Sequence, residues 1–225
     1  MRRSTFALFA TVAAAATMTV AAPASAATEL LVNGGFEDIG SAIQQGWGGY
    51  TYGASYSLPL PGWTVDSGSV DIVTNDTAWS PAYEGTKALD INGFGPGSIS
   101  QTFATVIGQL YRVSYAYSRN ASGALDPATA TISAPGGASV GISAANGAFG
   151  SPSNITWQTG SFTFLGDATT GTLQLSTDNA GAGGVFFDAV SVTAIIPEPT
   201  TWALMIGGFG MVGAVLRRRS KLVAA

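Results

Sequence analysis

Apolar and polar positions between residues 27 and 196 alternate in short runs, and no part of that stretch holds the 3.6-residue period of an amphipathic helix. The alternation predicts strands at Glu29–Val32, Gly62–Asp66, Ser69–Val73, Lys87–Ile91, Ser98–Ala104, Leu110–Ser118, Thr129–Ser133, Ser139–Ser143, Thr156–Leu165, Thr172–Thr177 and Val185–Ala194. Short strands at regular spacing, divided by Gly, Pro, Asn and Ser, make an all-β fold, an antiparallel jelly-roll sandwich. The clearest strand runs from Tyr111 to Tyr117: Tyr111, Val113, Tyr115 and Tyr117 share one face and Arg112 lies on the other. That face reads as core, with a ligand-stacking platform as the competing reading. Phe162 with Phe164, and Leu173 with Leu175, repeat the pattern. The residues between Glu37 and Pro61 read as a long aromatic loop.

Both ends depart from this pattern. Arg2-Arg3, an apolar stretch from Phe6 to Val20, and Ala24-Ser25-Ala26 fit a secretory signal helix whose removal leaves Ala27 as the mature start. At the other end stand Pro197-Glu198-Pro199, an uncharged run from Thr201 to Leu216, and Arg217-Arg218-Arg219. As a helix at 1.5 Å per residue that run is about 24 Å long, short of the ~30 Å hydrocarbon core, so Trp202 and the arginines would have to take up the mismatch. A buried core element is the alternative, but such elements seldom end in three arginines, and the basic block would fix this end in the cytoplasm. The expected division is a signal peptide over 1–26, a sandwich domain over 27–196, and a sorting segment over 197–225 with a transmembrane helix at 201–216.

Charge changes the picture once the ends are set aside. Six of the nine basic residues lie in the terminal segments, leaving Lys87, Arg112 and Arg119 against nearly all of the thirteen acids. So acidic a domain excludes nucleic acid and anionic lipid as natural partners, since both demand a basic face. It suits neutral ligands or Ca²⁺. The chain has no cysteine and no histidine, which removes Ser-His-Asp triads, thiol nucleophiles and His- or Cys-ligated zinc.

Two resemblances follow from these residues. Pro197-Glu198-Pro199, the run containing Trp202-Ala203-Leu204-Met205-Ile206 and Gly207-Gly208-Phe209-Gly210, and the triple arginine resemble the PEP-CTERM sorting signal of Gram-negative bacteria. That resemblance implies cutting near the Pro-Glu-Pro by a membrane enzyme, exosortase, after transient anchoring in the inner membrane. It also implies delivery to the cell envelope, its outer surface or the extracellular matrix. In the domain itself, Leu31-Val32-Asn33-Gly34-Gly35-Phe36-Glu37, Pro61-Gly62-Trp63, Ala88-Leu89-Asp90-Ile91-Asn92-Gly93 and Phe187-Asp188-Ala189-Val190 occur in the order of the choice-of-anchor C family. That family is similar to the galactose-binding-like jelly rolls. The resemblance implies a structural Ca²⁺ held where Glu37 of the opening motif meets Asp188 of the closing strand.

Oxygen chemistry allows such a site, because Ca²⁺ takes six to eight oxygen ligands. The other reading of Asp188 is a bulge or edge position that turns it to water. Carbohydrate is the leading ligand, since flat aromatic rings stack on pyranose faces; Trp47, Tyr50, Tyr52, Trp79 and Tyr83 lie in glycine-rich or turn-like surroundings and are the candidates. Trp63 reads as core. Glycoside hydrolysis by two carboxylates drawn from Asp66, Asp71, Glu84 and Asp90 is chemically permitted, but nothing in their spacing pairs them. The sequence therefore reads as a non-catalytic exported protein that binds polysaccharide, the alternative being a structural or adhesive surface protein that binds proteins or itself.

Overall fold

A computed structural model of the chain describes residues 27–53, 58–75, 82–123, 125–145, 155–196, 205–213 and 217. Residues 27–196 form one unit built on two antiparallel sheets. Its strands are β1 (Tyr50–Gly53), β2 (Thr64–Ser67), β3 (Ser69–Thr74), β4 (Lys87–Asp90), β5 (Ser98–Ala104), β6 (Leu110–Arg119), β7 (Ala128–Ser133), β8 (Ser139–Ala144), β9 (Gln158–Leu165), β10 (Thr170–Ser176) and β11 (Val185–Ala194). One sheet has the order β1-β3-β4-β11-β6-β9 and the other β2-β5-β10-β7-β8. This is the sandwich that the alternation predicts.

The core lies between the two sheets, where period-two alternation delivers its side chains. Tyr111, Val113 and Tyr115 of β6 point inward with Ile72, Leu89, Phe187 and Val192 of the same sheet, and meet Ile99, Phe103, Ile132, Leu173 and Leu175 from the other. Tyr111 stacks on Phe164 with ring centroids 5.1 Å apart. Arg112 faces outward. The row of tyrosines is therefore core.

β11 is apolar on both faces, and the structure shows why. Val185 and Phe187 enter the main core, while Phe186 on the opposite face joins Val73 and Ala88 in a second cluster, against which Trp47, Ala82, Ile155 and Trp157 pack. A strand covered on both sides reads as a continuous apolar run, in the manner of a central sheet strand.

Two expected elements differ. Glu29–Val32 makes no strand: Glu29 forms an isolated bridge with Thr193, and Leu30 N–H donates to the Val192 carbonyl at 3.0 Å. The reason is that β4 is only four residues long and pairs with β11 only at Phe186 and Phe187. The second half of β11 is left open on that side, and the opening segment fills it. Conversely, β1 lies inside the expected aromatic loop; Tyr50 and Tyr52 are its inward positions, opposite Ile72 and Val70 of β3.

In the tail, residues 205–213 are helical. Among the described residues no helix is long and apolar enough to cross a membrane. The remainder of the expected span at 201–216, Pro197-Glu198-Pro199, Arg218 and Arg219 lie outside the described residues, as do Ala24 and Ala26 of the signal-cleavage motif; Ala27 and Arg217 are described.

Candidate functional site

The outer face of the six-stranded sheet brings acids together by register. Asp71 of β3 stands directly opposite Asp90 of β4, and Asp90 in turn opposite Phe186 of β11. Asp90 is 2% exposed and organises the strand ends around it. Its Oδ1 accepts the N–H groups of Asn92 and Gly184, each at 3.0 Å, and its Oδ2 accepts Asn120 Nδ2 at 2.7 Å. Burial nevertheless pushes its carboxyl up to about 7, against these hydrogen bonds, which favour the charged form.

Asp71 is less deeply placed, and burial pushes it up to about 6. Thr51 stands directly opposite it across the β1–β3 pair, and the Thr51 side chain partly offsets the burial.

These acids line a groove of about 290 Å³ with Trp47, Val73, Gly93, Phe94, Asn120, Ser122 and Gly183; neither Lys nor Arg is among its described lining residues. Phe94 is 70% exposed, and its N–H is fixed by the Ser69 hydroxyl at 2.9 Å. The Trp47 ring lies over Gly49, where a Cβ would fall 2.0 Å from its ring carbons, so only glycine leaves room for the ring to reach the sheet. The groove thus combines aromatic walls with carboxyl, amide and hydroxyl groups, the usual make-up of a site for a polyhydroxylated ligand.

A second group of carboxylates holds the turn before β4. Asp188 is fully buried; its Oδ2 accepts the N–H groups of Tyr83 at 2.9 Å and Glu84 at 3.0 Å, and its Oδ1 accepts that of Ala189 at 2.7 Å. The β11 register shifts between Asp188 and Ser191, and Ala189 takes a left-handed φ of 48°. A bulge is therefore present, yet it turns Asp188 toward the 83–84 turn instead of water. Burial pushes this carboxyl up to about 7, and the charge of Glu84 acts in the same sense.

Glu37 grips the other end of that turn, accepting Thr86 N–H at 2.7 Å, the Thr86 hydroxyl at 2.8 Å, Lys87 N–H at 2.8 Å and the Lys87 ammonium at 3.5 Å. Glu37 and Asp188 thus converge on one turn, each through protein donors. Glu84 comes nearer to Asp188: a Cβ on Gly35 would lie 3.4 Å from Glu84 Oε1 and 3.8 Å from Asp188 Oδ1. Among the described residues no three acids are grouped as a metal centre.

The aromatic candidates separate. Trp47 borders the groove. Tyr52 does not belong with it: it is fully buried, its hydroxyl donates to the Ile39 carbonyl at 2.8 Å, and as an inward residue of β1 it is core, as Trp63 also is. Tyr50 is half-buried against the same core. Tyr83 is exposed and packs edge-on against Trp157 at 5.9 Å, capping the outer cluster. Trp79 lies outside the described residues. Of the acids weighed as a hydrolytic pair, Asp66 stands on the other sheet, accepting Ser100 Oγ and Gln174 Nε2. Phe94 and Asn120 are additional groove residues; a phenylalanine framed as Gly93-Phe94-Gly95-Pro96 is a legible sign of an exposed ring on a turn.

The PEP-CTERM protein-sorting motif matches residues 196–219, which implies export and delivery to the cell surface. Halomucin of Haloquadratum walsbyi is 29% identical over 176 residues, covering 72% of this chain; the chain spans 2% of that protein's length. Among solved structures, TmCBM61 in complex with β-1,4-galactotriose aligns with a TM-score of 0.48 at 16% identity, over 75% of this chain and 99% of that one. A family 35 carbohydrate-binding module from Clostridium thermocellum aligns at 0.36 and 12%, over 64% and 90% of the two chains. Residues 29–193, the whole sandwich apart from its margins, match the family described as "Protein of unknown function (DUF642)", and the chain belongs to that family.

Proposed function

We propose that residues 27–196 are a non-catalytic carbohydrate-binding domain, exported and delivered to the surface or matrix by a tail that exosortase handles. The observation that carries the reading is the groove, where Phe94 and Trp47 flank the half-buried Asp71 carboxyl in a lining without Lys or Arg among its described residues. A pyranose offers an apolar ring face to the aromatics and a hydroxyl to Asp71 Oδ1. Asp90 acts through other groups: with both oxygens engaged by Asn92, Gly184 and Asn120 it positions the groove wall, which suits binding better than acid catalysis. Phe94→Ala and Trp47→Ala are each expected to weaken retention on native exopolysaccharide gels by about tenfold, roughly 1.4 kcal/mol. Unchanged retention by both variants would remove the proposal.

Calcium enters in a narrower form than the sequence suggests. Glu37 is already surrounded by four donors, one of them an ammonium, and is a poor ligand. Asp188 Oδ1 and Glu84 Oε1 both lie beside the bare Cα of Gly35, and these are the carboxylates that would hold the ion, which would supply charge neutralisation where burial and mutual repulsion disfavour two anions. Excess EDTA is then expected to lower the melting temperature by about 5 °C or more, as loss of a tightly bound ion would. A melting curve unmoved by EDTA, with and without added Ca²⁺, would show that the backbone donors to Asp188 suffice.

A further inference from the structure

The end of the sandwich from which the chain departs toward its sorting segment carries an apolar surface that the core does not use. Val106 and Ile107 are each 66% exposed at the tip of the β5–β6 turn, and Leu110, Leu165 and Ile196 are exposed beside them. The five belong to one place. Leu110 and Leu165 are opposite each other in the β6–β9 register. Ile195 N–H donates to the Leu110 carbonyl at 2.9 Å, and Gln109 Nε2 donates to the Ile195 carbonyl at 2.9 Å. Gly108 N–H donates to the Gly166 carbonyl at 2.8 Å, next to Leu165.

This end is built to hold those side chains outward. The turn is closed by Gln109 N–H on the Val106 carbonyl at 3.1 Å, and Val106 N–H donates to the Tyr111 hydroxyl at 2.8 Å. Gly108 takes the left-handed φ of 80° that the turn requires. Its backbone is therefore tied down while its two β-branched side chains face out. Apolar side chains gathered on a fixed surface mark a contact site more than scattered ones do.

Covalent length names the occupant. Only Pro197, Glu198, Pro199 and Thr200 stand between Ile196 and the apolar run that begins at Thr201. Even fully extended, five Cα–Cα steps reach about 18 Å. The headgroup layer takes up about 5–8 Å of that reach. An uncut chain whose 201–216 segment spans the membrane must therefore keep Ile196 within about 13 Å of the bilayer surface.

We infer that the Val106–Ile107 turn, with Leu110, Leu165 and Ile196, is a lipid-facing surface that rests on the bilayer while the sorting segment is still attached. This rests on reading residues 201–216 as membrane-spanning. It gives the uncut domain one membrane-facing end, the end from which the chain leads to the segment that a membrane enzyme would cut. Asp167 borders the patch, so the contact suits zwitterionic lipid better than an anionic leaflet.

The chain lacks cysteine, so one introduced thiol reports one position. The full chain carrying Ile107→Cys, labelled with an environment-sensitive dye, is inserted into phosphatidylcholine vesicles, with the same dye at Asp178→Cys, on the opposite end of the sandwich, as comparison. The dye at position 107 should be quenched by brominated lipid at least about threefold more than that at 178. If the chain floats with the vesicles but both dyes are quenched alike, the lipid-facing surface is wrong and the anchor stands. A dye at 107 that is shielded from water yet untouched by brominated lipid would show a protein partner covering the patch and would overturn lipid as its occupant. If the chain does not float with the vesicles, the membrane-spanning reading fails and takes this inference with it.

Discussion

Gly34→Ala is expected to lower the melting temperature of the domain by about 10 °C, from a destabilisation of roughly 3 kcal/mol or more. The opening segment runs against the bulged half of β11 so closely that a Cβ on Gly34 would stand 1.9 Å from the Val190 carbonyl oxygen. The obstacle is backbone, which cannot swing aside as a side chain can. To make room, the segment must give up the hydrogen bond from Val190 N–H to the Gly34 carbonyl, 3.0 Å long, and with it the seating of Phe36 beside Trp63 at 5.6 Å. Gly141→Ala is the control: a Cβ there meets nothing within 4 Å, so its melting temperature should stay within about 2 °C of the parent. Equal melting of the two variants would mean that the opening segment docks loosely and that its glycine is incidental.

The second large effect is at Asp90. Asp90→Ala leaves two backbone N–H groups and the Asn120 amide without an acceptor in a site closed to water, at an expected cost of about 3–5 kcal/mol. Asp90→Asn keeps one acceptor oxygen and should cost less. The two differ from the parent in pH response as well. Because burial holds the Asp90 carboxyl at about 7 when folded, against 3.8 unfolded, the folded state binds a proton more tightly between those values. The stabilisation is complete below the unfolded value and fades as pH rises through 7. Asp71, pushed to about 6, acts in the same direction. The melting temperature of the parent should therefore fall from pH 5 to pH 8, and Asp90→Asn should flatten that fall. A parent curve that rises across this range would show both acids ionised at low cost inside the fold.

Two strands, one alternating and one apolar on both faces, are legible to the residue. Ser98–Ala104 and Val185–Ala194 have the limits that the alternation predicts. β1 escaped notice because its four residues sit among glycines, with too few positions to show a period. For the same reason Tyr52, which looks like a loop aromatic, is core: a strand one residue either side of it would have turned it outward.

The site divides along the same line. Trp47 was marked by its glycines. The pairing of Asp71 with Asp90 depends on which residues of β3 and β4 face each other, and register between strands separated by a turn is not written in either strand alone. Glu37 and Asp188 do meet a common turn, but the sequence could not say that backbone donors would meet them there.

β11 links the two ends of the sandwich: its first residues follow the groove wall at Gly183, and its last lead directly to Ile196 and the tail. If the groove holds a polymer and the tail is tethered, as proposed, a pull between them would run lengthwise through a central strand hydrogen-bonded to β6 along most of its length. Under that load the ladder bonds are strained side by side and must fail together, in shear, not one after another as in a peeled edge. The strand that leads into the tail is thus placed to bear tension along its length.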